Sequence, residues 1–172
     1  MFLQAKDAAV QAERAKTLLN EAEPFYTERA WDKFVGKVSR GRAFASNAEL
    51  QQRLSREVEF GKLASRADAA EADRKWPEAA DQWQKAGDLF PARQWATMKA
   101  AVAWLLAGDV PAGVRALAVV AARSDADPAP QAKRMLDDLL KSFPTLEVEA
   151  AKARQGATRI STGEFETIKD EE

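Results

Sequence analysis

Residues 76–91, WPEAADQWQKAGDLFP, constrain this chain more than any other stretch. They open on an aromatic residue and a proline and close on a second proline. Pro77 suits the first position of a helix, where its missing N–H would have no partner in any case. Ala79, Trp83 and Ala86 follow at spacings of four and three, on one helix face. Small residues at two of these positions let a neighbouring helix come close, and Trp83 fills the space beside them. The pattern returns thirty-four residues on as Val110 and Pro111, then Gly113, Leu117 and Val120. It returns again as Phe143 and Pro144, then Leu146, Ala150 and Ala153. A period near 34 predicts stacked pairs of antiparallel helices, an all-α fold.

Residues 2–23 read as an amphipathic helix with a small-residue stripe that includes Ala8, Ala15, Leu18 and Leu19. Pro24 interrupts it, and a second helix over 25–38 places Trp31, Phe34 and Val38 on one stripe. Gly41 is a plausible stop. Ser46 and Glu49 form a capping-box signature. The chain then reads as helical to Lys75, either as one long helix or with a break near residues 60–61, where Gly61 is the weak point. Helices follow at 76–89, 94–106, 111–123, 130–142 and 145–154. Gly108 stands where a helix end favours a left-handed residue, and SDADPAP, residues 124–130, is a loop. This gives an N-terminal helical extension over 1–45, a repeat domain over 46–155 and an acidic tail over 156–172. The tail reads either as a mobile, solubilising segment or as a docking peptide built on Phe165 and Ile168.

Over about residues 60–155 these positions resemble the tetratricopeptide repeat. Ala67, Trp76, Ala79, Trp83, Ala86 and Pro91 fill that family's small, large and proline positions in repeat one. Ala101, Trp104, Gly108, Val110, Gly113 and Leu117 do so in repeat two, which departs from the pattern at Val120. Repeat three keeps only the helix lengths and the proline. The resemblance implies a superhelical α-solenoid whose first helices line a concave groove for a peptide or helix. By position the groove takes Ala64, Asp68 and Glu71 from repeat one, Trp95, Met98, Val102 and Leu105 from repeat two, and Ala132, Leu136 and Leu139 from repeat three. Such a groove would be largely apolar with an acidic end, and it lacks the basic residues with which some members clamp acidic tails. Either a partner or the chain's own aromatic helix 25–38 could fill it.

The chemistry available argues against an enzyme. There is no cysteine and no histidine, which removes thiolate and imidazole nucleophiles and their metal sites. No glycine-rich phosphate loop is present. Asp125 and Asp127 lack the glycine and closing glutamate of a calcium loop. No cofactor is expected. Charged residues make up 31% at a net charge of −1, which gives no basic field for nucleic acid. The expectation is a non-catalytic adaptor that binds a peptide or amphipathic helix of a protein partner. Two alternatives are a structural subunit that oligomerises through its N-terminal helices, and a chaperone for a secreted protein, which would fit a pI near 5.7. The charged start MFLQAKDAAVQAERAK does not read as a signal peptide, and no stretch is apolar enough to span a membrane. A full-length chain of this kind is expected in the cytoplasm.

Overall fold

The computed structural model describes residues 2–157, with side chains from residue 7 onward. The tail positions Phe165 and Ile168 lie outside the described residues. The fold is all-α: α1 (Phe2–Asn20), α2 (Glu23–Thr27), α3 (Trp31–Arg42), α4 (Ala48–Ala72), α5 (Trp76–Leu89), α6 (Gln94–Leu106), α7 (Val110–Arg123), α8 (Ala129–Ser142) and α9 (Glu147–Gly156), with a 3-10 turn at Pro144–Leu146. Two compact units divide it, one up to Ser65 and one from Arg66, so the boundary falls inside α4.

The N-terminal unit is organised by aromatic residues. Tyr26, Trp31, Phe34 and Phe60 are buried, and their rings meet at centroid distances of 5.8–6.2 Å. Helix α1 lies along α3, with Ala15 and Leu19 buried and Lys37 paired to Glu21 at 2.8 Å. The helix expected over 25–38 is two helices. It breaks because Arg29 takes a left-handed conformation at φ 55°. There the Ala30 N–H donates to the Phe25 carbonyl at 2.8 Å, and the Arg29 N–H donates to the Tyr26 carbonyl at 3.1 Å. An arginine in this role carries no sequence signal, since glycine is the usual occupant. Helix α4 runs through Gly61 without a break. A β-carbon there would stand 2.6 Å from Val35 Cγ2 and 2.8 Å from Phe34 Cδ1, so the glycine allows close approach to α3. The cap of α4 also differs from expectation. Asn47, not Ser46, holds it, with Oδ1 accepting from the Leu50 N–H at 2.8 Å.

The break at Arg29 recurs in the second unit. Arg74 (φ 57°) and Gly108 (φ 83°) are also left-handed. Each closes its helix with the same pair of bonds: the Lys75 N–H to the Ala70 carbonyl and the Arg74 N–H to Glu71, then the Asp109 N–H to Trp104 and the Gly108 N–H to Leu105. The next residue has ψ of 67° at Ala30, 68° at Lys75 and 77° at Asp109. A large apolar residue then opens the next helix: Trp31, Trp76 or Val110. Three, seven and ten residues on, every position is buried: Phe34, Ala79 and Gly113; Val38, Trp83 and Leu117; Gly41, Ala86 and Val120. Phe143 and Pro144 do not continue this series. Phe143 (φ −130°, ψ 66°) matches Phe90 (φ −131°, ψ 82°), which also precedes a proline. The third recurrence read from the sequence is therefore a different turn.

In the second unit α5 packs on α6 and α6 on α7, while α8 and α9 both lie against α7. Alanines 70, 79, 80 and 103 make one buried cluster, with Trp104 against it. Met98, Ala101, Val114, Leu117, Val120, Ala132, Leu136 and Ala150 belong to the other. A β-carbon on Gly87 would collide with the Thr97 hydroxyl, which shows how near α5 and α6 run. Asp109 caps α7 by accepting from the Ala112 N–H at 2.9 Å. Arg115 joins Glu149 at 2.6 Å, between α7 and α9. Burial pushes the half-buried Arg123 guanidinium down, and Asp88 partly offsets this.

Candidate functional site

The residues of α6 at positions 95, 99, 102 and 106 share one face, by the 3.6-residue repeat of the helix. Trp95 is half-buried, and Val102 and Leu106 are 38% and 54% exposed. The rest of α6 is consumed by packing. Ala96, Thr97, Ala100 and Ala103 are buried, as are Met98 and Ala101. The stripe is what remains at the surface.

Its N-terminal half is fixed by a polar network against the last turns of α4. The Trp83 indole N–H donates to Glu71 Oε1 at 2.6 Å. Lys99 Nζ donates to Glu71 Oε2 at 2.7 Å and to Asp68 Oδ1 at 3.2 Å. The same ammonium lies 4.4 Å from the centre of the Trp83 ring, a geometry the ring's negative face favours. Trp83 in turn meets Trp95 edge-on, 5.4 Å between centroids. Glu71 thus uses both carboxylate oxygens on named partners. Trp83, with no exposed surface, ties α5 to α4 while its ring supports the residues of the stripe.

Only part of the expected groove reaches the surface. Asp68, Glu71, Trp95 and Val102 do. Met98 and Leu136 are interior, as are Ala64 and Ala132, so they offer a partner nothing in the folded chain. Leu105 and Leu139 are partly buried against the core of the second unit. Leu105 reaches across to Gly113, where a β-carbon would stand 2.5 Å from its Cδ2. The reason is that α6, QWATMKAAVAWLL, is apolar nearly all round, so periodicity cannot tell its packed stripes from its open one. Leu106 was missed by position, although its spacing of four from Val102 was a usable signal.

What the stripe can do chemically is associate. It offers aliphatic and aromatic surface beside an ion-paired acidic rim. Among the described residues no group of three or more acidic side chains could hold a metal ion, and no helix is long and apolar enough to cross a membrane. Compared with family models, curated proteins and solved structures, the chain matches none.

Proposed function

We propose that this chain is a non-catalytic adaptor, a short tetratricopeptide-like array of helix pairs that holds a helix or peptide of a protein partner against α6. The observation that supports this reading is the exposed Val102–Leu106 pair on a helix that is otherwise packed, backed by a rigid Trp83–Glu71–Lys99 network. The recurring turn at Arg74 and Gly108, at the 34-residue interval seen in the sequence, supports the repeat assignment. The shared neighbour α7 of α8 and α9 marks where the array ends and a closing helix begins. The aromatic residues of 25–38 that could have filled a groove are engaged with one another and with Phe60.

Site-specific photo-crosslinking tests the proposal. A photoreactive residue replaces Val102 in one sample and Lys85, exposed on α5, in the other. The adaptor reading expects a discrete heavier species from position 102 alone when the chain is expressed in its native cells. Equal yields from both positions, or none from 102, would refute it.

A further inference from the structure

We infer that the occupant of the α6 stripe is an amphipathic helix whose apolar face is flanked by lysine or arginine. This rests on the docking reading above and adds the partner's charge. From Trp95 to Leu106 the stripe spans about 16 Å, three turns. That is the length over which a helix presents two or three apolar anchors at its own i and i+4 positions.

Both ends of the stripe are negative. At the first, Asp68 and Glu71 share the single ammonium of Lys99, which leaves one net negative charge on the rim. Lys99 is the only charged residue of α6, and both its carboxylate contacts and its ring contact are spent within the fold. Lys75, just beyond α4, is paired with Asp73 at 3.1 Å. At the second end α6 terminates at Leu106, where its dipole carries about half a negative charge, and Asp109 follows. Asp109 gives one oxygen to the cap of α7 and keeps its charge. A helix with acidic flanks would meet like charge at both ends of its apolar seat, while basic flanks would complement both.

The experiment uses the full chain and two synthetic amphipathic helices of about 18 residues, long enough to hold helical structure. They carry identical leucine positions and either lysine or glutamate flanks, and binding is read by fluorescence anisotropy. The lysine-flanked helix should bind about tenfold tighter, with the preference shrinking as salt is raised. Asp68→Asn should reduce that preference by about two- to fivefold. The double variant Val102→Ser/Leu106→Ser, confirmed as folded by circular dichroism, should weaken the lysine-flanked helix by more than about tenfold. If both helices bind equally, or the acidic one binds better, and the double variant loses both, the charge inference is overturned while docking on α6 survives. If neither binds, or the double variant binds the lysine-flanked helix as well as the original chain does, docking on α6 fails and the inference with it.

Discussion

Replacing glycine by alanine at two positions of the N-terminal unit should have opposite effects, and the sign difference tests how α3 and α4 meet. Gly36 lies within α3 and Gly61 within α4. By propensity alone each substitution stabilises its helix by about 0.8–1 kcal/mol. At Gly36 nothing stands within 4 Å of a new β-carbon, so that gain should appear nearly whole. At Gly61 the new carbon would meet Val35 Cγ2 at 2.6 Å and two atoms of the Phe34 ring at 2.8 and 3.2 Å. Phe34 is fully buried among Tyr26, Trp31 and Phe60 and has nowhere to turn. Val35 is branched at the β-carbon and stiff in its first torsion. Overpacking of this kind costs about 1–3 kcal/mol, which outweighs the propensity gain and leaves Gly61→Ala destabilised by up to about 2 kcal/mol. Urea unfolding followed by far-UV circular dichroism measures both. Val35→Ala placed in the Gly61→Ala background should recover part of the loss, because it removes the nearest clash. Equal stabilisation at both positions would refute the reasoning, since Gly61 would then face open space and α4 would not be seated on α3.

Three further outcomes are expected. Asn47→Ala should cost about 1 kcal/mol by removing the α4 cap, whereas Ser46→Ala should change little; the reverse order in urea midpoints would restore the capping box read from the sequence. Arg74→Gly should stabilise by about 0.5–1 kcal/mol, because a side chain at φ 57° carries a left-handed penalty of about 1–2 kcal/mol that glycine escapes, less the entropy glycine adds to the unfolded chain; a lowered midpoint would count against that backbone. Trp83→Phe should lose about 1.5–3 kcal/mol, since it removes the hydrogen bond to the Glu71 carboxylate. Combining it with Glu71→Gln should give less than the sum of the two single losses, and full additivity would deny the contact.

Local chemistry was readable because it depends on few neighbours. The helix starts at Trp76 and Val110 follow from the prolines behind them, and the stop at Gly108 follows from a residue that alone enters left-handed backbone freely. The buried stripe of Ala79, Trp83 and Ala86 follows from spacing. All of these are decided within one or two helical turns. The turns at Arg29 and Arg74 were hidden because the same backbone is there imposed on residues that do not prefer it. Phe143 and Pro144 were misplaced because two different turns can carry the same pair of residues.

The site was less legible than the helices. Sequence alone determined that the chain folds as helices, that it carries no thiol or imidazole chemistry, and that α6 is too apolar to stand free in water. Which face of α6 stays open was decided by tertiary packing. Met98 and Ala101 went to the core because a cluster with Val114, Leu117 and Leu136 had room for them, and Thr97 went to α5 because Gly87 left a gap there. Glu71 and Lys99 lie 28 residues apart. They meet only because the left-handed turn at Arg74 and the Phe90–Pro91 bend fold three helices back on one another. Hydrophobic burial is non-directional. It settles that an apolar helix must be covered, but only the shapes of its neighbours settle on which sides.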